Sequence, residues 1–280
     1  MEQHAKRVAK SHKNADMKDL RNSWLKYATI SVGILLAVFI VILLALIVTK
    51  PTPEGLFASI MSEEIHFAII LSLLTSLAST FLCILIGVPA AYALARYSFK
   101  GKNVVNALLD MPLALPPLVA GLGLLLFFGT TPIGRGLAEI GLTFVFTPLG
   151  IIAAQFFVNI PFMLRIMRST FESINPRYEY VAKTLGCSDA QALWRVTLPM
   201  SAPGFFAGSV ITWAKGIGEF GAALLLAGAI MWKTETLPIA LFLNMSCGNL
   251  NMAISAATIL IIISVVALYI FERYGGASRF

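Results

Sequence analysis

The sequence predicts an all-α integral membrane protein of six transmembrane helices. Three observations carry this. Apolar residues make up 58% of the 280 and charged residues only 12%, with mean hydropathy +0.83; soluble domains carry roughly 25% charged residues. Six stretches are apolar for the roughly 20 residues that a helix needs to cross hydrocarbon. Lys and Arg collect in alternate connecting segments, the pattern of short loops retained on the cytoplasmic side. Backbone amides in lipid find no water, so each span must close its own hydrogen bonds, which selects helices.

The elements follow in order. Residues 1–24 form a basic cytoplasmic tail with Lys6, Arg7, Lys10, Lys13, Lys18 and Arg21, a composition suited to water or a membrane surface. Residues 25–48 form a first span whose apolar run exceeds the 7 to 15 residues of a signal peptide; it is expected to remain in the mature protein. A core of five further spans is expected at 65–97, 105–128, 147–167, 199–228 and 252–271, followed by a short cytoplasmic tail, 272–280. Pro89, Pro112, Pro116, Pro117 and Pro161 are expected to kink or break spans. With the amino terminus inside, 17 of the 21 Lys and Arg fall on the cytoplasmic side, against Lys50, Arg135 and Lys233 outside. Both termini are therefore expected to be cytoplasmic in a multi-pass cell-membrane protein.

The net charge of +7 does not indicate nucleic acid, because the basic residues lie between apolar spans rather than along a groove. Cys83, Cys187 and Cys247 have no CxxC spacing and read as small packing residues. His4, His12 and His66 lack the spacing of a helical metal site.

The most informative stretch lies between the fourth and fifth spans, at 175–198, and reads as two short helices. Asn175 and Pro176 suit a helix start, and Gly186 suits the left-handed residue that ends it. Ser188 with Gln191 spells a capping box, with Asp189 in the first turn and a helix running to about Val196. Tyr178, Val181, Leu185 and Trp194 would offer an apolar surface, either for docking in a groove of another protein or for lying against the chain's own membrane domain.

This segment resembles the cytoplasmic loop of permease subunits of ATP-binding-cassette importers. That loop carries Glu-Ala-Ala, three residues, Gly, nine residues and Ile-x-Leu-Pro. Ala182, Gly186, Val196, Leu198 and Pro199 fall on motif positions, whereas Tyr180 stands at the glutamate, Val181 at the first alanine, and Glu179 one residue early. The runs LLDMPLALPPLVAGLGLLLFF, FTPLGIIAAQFFVNIPFMLR and GEFGAALLLAG, with Thr236-Leu237-Pro238, are similar to the molybdate and tungstate branch and more distantly to sulfate permeases. The resemblance implies a type I importer permease fold and a non-catalytic subunit. Tyr178, Glu179, Val181, Ala182, Leu185, Gly186, Leu198 and Pro199 would couple it to an ATPase. The implied partners are a second copy of the chain, two ATP-binding-cassette ATPase subunits that use ATP and Mg, an extracytoplasmic oxyanion-binding protein, and lipid. It also implies alternating access, with no cofactor bound by this chain and the first span outside the shared core. A sulfate or thiosulfate permease is the alternative within the family.

Within the fifth span, Ser209, Thr212, Lys215, Gly216 and Glu219 fall within about a 120° arc of an uninterrupted helix. Intramembrane ions are functional candidates by default. Lys215 and Glu219, four residues apart, are expected to pair. The stripe either lines the translocation pathway or its gate, or locks helix packing. Gly216 to Gly221 spells a dinucleotide fingerprint in the wrong context and reads as close helix approach, as do Gly204 and Gly208. No phosphate-binding loop motif occurs in the sequence. An ion-coupled secondary transporter using Lys215 and Glu219 is the rival from another class, and a membrane enzyme finds no supporting constellation.

Overall fold

The computed structural model describes residues 2–271 and residue 273, with side chains from Trp24 onward. The basic side chains expected before Trp24, and the tail 272–280 apart from Arg273, lie outside the described residues. The chain divides into two compact units, Met1–Lys50 and Pro51–Phe280.

The first unit is the helix α1 (Glu2–Val48), of which Trp24–Val48 is long and apolar enough to cross a membrane. Helix extends through the expected tail as well. Thr29 and Thr49 return their hydroxyls to carbonyls one turn back, so neither is left unbonded.

Among the described residues the second unit is built of helices and their connections, with no strand. It begins with α2 (Pro53–Met61) and α3 (Glu63–Arg96), followed by α4 (Lys102–Ala114), α5 (Pro117–Thr130), α6 (Pro132–Glu139) and α7 (Pro148–Ser173). Next come α8 (Arg177–Thr184), α9 (Asp189–Ala192), a π-turn at Leu193–Thr197 and α10 (Leu198–Met200). The chain continues through α11 (Ala202–Ile217), α12 (Gly221–Ala227), α13 (Leu237–Ser246) and α14 (Leu250–Ile270). The helices α1, α3, α7 and α14 can each cross a membrane, and counting the bent pairs α4/α5 and α11/α12 as single spans gives six.

The α11/α12 break, and α2, α6 and α13, depart from the expected spans, whereas the α4/α5 break falls at Pro116 and Pro117, where a kink or break was expected. Pro116 and Pro117 explain the first break. Each proline lacks an amide donor, and Leu115 is held extended (φ −81°, ψ 135°), which turns α5 by 111° from α4. Pro89, Pro112 and Pro161, by contrast, lie inside helices that run on.

α3, α7 and α11 form the centre of this unit. Cys83, Tyr92, Met163, Met167 and Phe171 make one buried apolar cluster, and Ile151, Ala222 and Leu226 a second. A third, of Ile65, Leu237 and Ile259, joins α3, α13 and α14. Cys83 packs as expected, whereas Cys247 is exposed and does not. Small residues permit the closest crossings: Gly204 faces Thr170, and Gly208 faces Met163 and Ile166. At Gly121 a β-carbon would lie 2.8 Å from the backbone of Ala222, so α5 and α12 meet nearly backbone to backbone.

Gly121→Ala is expected to force those helices apart and cost about 1–3 kcal/mol. A fall of several degrees in the thermal midpoint of the detergent-solubilised chain, absent in Gly123→Ala, whose β-carbon meets open space, is the measurement that checks it.

Candidate functional site

The segment between α7 and α11 folds as the capping signals predict. Asn175 Oδ1 accepts from the Arg177 amide (3.0 Å), and Gly186 ends α8 with φ +92°. Ser188 and Gln191 exchange both capping-box bonds. The second helix does not stop near Val196. It passes through the π-turn into α10, so Leu198 and Pro199 continue helically toward α11. Tyr178, Val181, Leu185 and Trp194 are all exposed, Leu185 at 80% and Trp194 at 70%, with Tyr180 beside them. Ala182 is buried beneath. Lys183 and Asp189 bridge the two short helices in an exposed ion pair, whose hydrogen bond raises the Lys183 pKa.

The feature the spacing left open is Glu179. Its carboxylate is buried: Oε1 accepts from Arg96 Nε (2.8 Å) and Thr197 Oγ1 (2.8 Å), and Oε2 from Tyr92 OH (3.0 Å). Arg96 also donates to the Ile174 carbonyl at 3.0 Å. One carboxylate thus ties the end of α3, the start of α8 and the π-turn together. Tyr180, at the motif's glutamate position, is exposed; the carboxylate one residue earlier is the one that turns inward. Sequence reading could not choose between the two, because the partners come from Tyr92 and Arg96, more than eighty residues upstream.

The expected stripe on the fifth span is divided. α11 ends at Ile217, so Glu219 lies in the break and not on the same helical face as Lys215. Glu219 Oε1 instead accepts from the Ala222 amide (2.9 Å) at the start of α12, where an acid offsets the helix dipole. Among the described ion pairs none joins Lys215 to Glu219; Lys215 Nζ lies 4.7 Å from the centre of the Phe162 ring. Thr212 is fully buried, Gly216 is packed against Ser76 of α3 and Asn159 of α7, and Ser209 returns its hydroxyl to Phe205 O. Beside the break lies an apolar cleft of about 470 Å³, lined by Phe220, Leu241, Phe242 and Met245 among others.

At the end of the bundle opposite α8, Glu235 is fully buried in the connection from α12 to α13 and accepts from the Trp232 amide (3.1 Å). Glu64 accepts from Asn244 Nδ2 nearby. Burial, with the Glu64 carboxylate beside it, raises the Glu235 pKa.

The sequence pattern of the family described as binding-protein-dependent transport system inner membrane component matches residues 83–274. The molybdenum transport system permease protein ModB of Mycobacterium tuberculosis is 38% identical over 208 residues, covering 74% of this chain and 79% of that protein. The molybdate/tungstate transport system permease protein WtpB of Pyrococcus furiosus is 34% identical over 256 residues, 91% of this chain and 96% of its own. The sulfate transport system permease protein CysT of Escherichia coli is 35% identical over 184 residues, 65% of this chain and 66% of its own. Among solved structures, a bacterial ABC transporter involved in the import of the acidic polysaccharide alginate matches with TM-score 0.68 at 20% identity, covering 94% of this chain and 99% of that chain. At that identity the likeness shows the fold.

Two outcomes test this geometry. Glu179→Ala strands the Arg96 charge in a site where both side chains are under a tenth exposed; removing one partner of a buried pair costs about 3–5 kcal/mol. Faster amide hydrogen exchange throughout 175–198 is expected, with α14 unchanged. For Glu235, a raised folded pKa means a contribution to stability that is present below the unfolded value and lost as pH rises through the folded one. As pH rises from the ordinary carboxylate range through the folded value, the thermal midpoint of the native chain should fall relative to that of Glu235→Gln; parallel curves would refute the assignment.

Proposed function

The chain belongs to the family of binding-protein-dependent transport system inner membrane components, and from this membership we propose that it is the permease subunit of an ATP-driven importer of molybdate or tungstate. The observation that carries the coupling role is the form of 175–198: an apolar face of Tyr178, Val181, Leu185 and Trp194 held out on a segment whose underside is pinned by Glu179. An exposed apolar surface on a rigid, buried anchor suits insertion into a cleft of a partner. The relatives named for molybdenum and for molybdate and tungstate support the substrate class, and a sulfate or thiosulfate permease is the second reading, favoured by the sulfate relative.

In this reading two copies of the chain enclose the pathway, two ATP-binding-cassette ATPase subunits dock on the 175–198 faces, and an oxyanion-binding protein delivers the substrate from outside. The partner ATPases use ATP and Mg, and this chain catalyses no reaction. Both termini and 175–198 lie in the cytoplasm, consistent with the distribution of Lys and Arg. ATP-driven closure of the ATPases would push the two coupling segments together. Because Glu179 joins α8 to α3 and to the turn leading into α11, the push reaches both helices at once. Lys215 and Glu219 stand at the break after α11, Ser209 stands two turns before it, and we assign all three to the pathway or gate. Lys215, exposed beside Phe162, is the cation that would offset a passing oxyanion.

Proteoliposomes holding the chain, its ATPase and a molybdate-binding protein should show ATP-dependent uptake of molybdate and tungstate over sulfate. Leu185→Glu should reduce uptake at least tenfold by placing a charge in the docking face, with the chain still folded by its melting curve. Uptake without an ATPase would favour an ion-coupled transporter, and preferred uptake of sulfate the second reading.

A further inference from the structure

Three core helices bring neutral polar side chains to one layer that the coupling geometry does not use. The register of α3, α7 and α11 is set at two heights. At one, Gln155 Nε2 donates to Gly216 O (2.9 Å) and Thr75 Oγ1 (3.4 Å), and a β-carbon on Gly216 would stand 3.4 Å from both Asn159 Nδ2 and Ser76 Cβ. At the other, a β-carbon on Gly208 would stand 3.2 Å from Met163 Sδ, and one on Gly87 would stand 3.1 Å from Met163 Cγ. Between them, one turn on from Ser76 and one turn back from Gly216, Ser79 and Thr212 share a level with Asn159.

These three side chains are 1%, 0% and 0% exposed in turn. Ser79 Oγ, Thr212 Oγ1, both amide atoms of Asn159 and Gln155 Oε1 have no hydrogen-bond partner in the protein. Thr75, Thr80 and Ser209 on the same helices return their hydroxyls to carbonyls one turn back; Ser79 and Thr212 do not. Buried polar groups are costly unless bonded, most of all in a membrane. The chemistry of the set selects its ligand. A cation would leave the Asn159 Nδ2 donor unbonded, and an anion would leave the Asn159 and Gln155 oxygens unbonded. A molecule that both donates and accepts serves all of them, and water is the one small enough for a tight helix crossing.

We infer that Ser79, Asn159 and Thr212 form a buried water-binding site between α3, α7 and α11 of a single chain. Thr212 and Gly216 then belong to an internal hydrated seam and not to the wall of the translocation pathway. Hydrogen bonds routed through water can be exchanged as α11 shifts against its neighbours, which direct side-chain bonds would resist. The inference does not depend on the identity of the transported anion.

The sign of a stability change tests it on the full-length chain in lipid nanodiscs. Thr212→Val keeps the side chain's shape and removes its hydroxyl. At a hydrated site this withdraws a partner from the water and should lower the thermal midpoint by about 2–4 °C. At a dry site the same change removes an unbonded polar atom, so an unchanged or higher midpoint overturns the inference. Ser79→Ala gives an independent reading with the same expected sign. A density map that resolves the Asn159 amide and has no solvent peak within hydrogen-bond distance of it and either hydroxyl would overturn it equally.

Discussion

The mechanical coherence of the second unit rests on the carboxylate of Glu179. It accepts three hydrogen bonds, from Tyr92, Arg96 and Thr197, and so joins the last turns of α3 to α8 and to the π-turn that leads into α10. A buried charge is stable only when paired and fully bonded, and here the pair is completed by Arg96 reaching the Ile174 carbonyl. The consequence is directional. The exposed apolar residues on α8 are tied to α3 through a buried ion pair. An apolar face on a rigid mount can deliver force into a membrane domain, which a slack loop with the same side chains could not.

The membrane interior obeys the same rule of satisfaction in a different currency of groups. Where a span breaks, its freed amides and carbonyls must find partners without water. At the first break the chain removes the need, since Pro116 and Pro117 have no amide to satisfy. At the second, Glu219 supplies an acceptor for the Ala222 amide. The intramembrane carboxylate thereby acquires a local role at the start of α12, and Lys215 lies over the aromatic face of Phe162. Helix crossings are handled by volume: Gly121, Gly204 and Gly208 stand where a side chain would meet backbone or a packed neighbour. The α11–α12 break, the apolar cleft beside it and the α5 contact at Gly121 therefore occupy one region.

Much of this was legible in the sequence because it depends on local signals. Apolar run length located the spans, and Asn175, Gly186, Ser188 and Gln191 located the two short helices, since caps act within a turn of themselves. Whether Tyr178, Val181, Leu185 and Trp194 would stand outward or lie against the membrane domain was left open by those signals, and the fold exposes them. The helical wheel failed at Glu219, where it assumed a helix that Gly218 and Phe220 interrupt. It also failed to separate Thr212 and Gly216 from Lys215, since a projection shows which residues share an arc but not which neighbour each part of that arc meets. The 111° turn after Ala114 was signalled by Pro116 and Pro117, although Pro89, Pro112 and Pro161, judged by the same rule, remain in continuous helices.

By itself, then, the sequence determined that the chain lives in lipid, where its spans run, and that a capped, apolar segment stands between the fourth and fifth of them, because composition and capping are properties of neighbouring residues. Only the tertiary structure decided which carboxylate is buried, which glycines carry a crossing, and which polar residues of α11 face inward. Those outcomes depend on partners such as Arg96 for Glu179, Ala222 for Gly121 and Asn159 for Gly216, which the chain brings together from distant positions only when the helices pack.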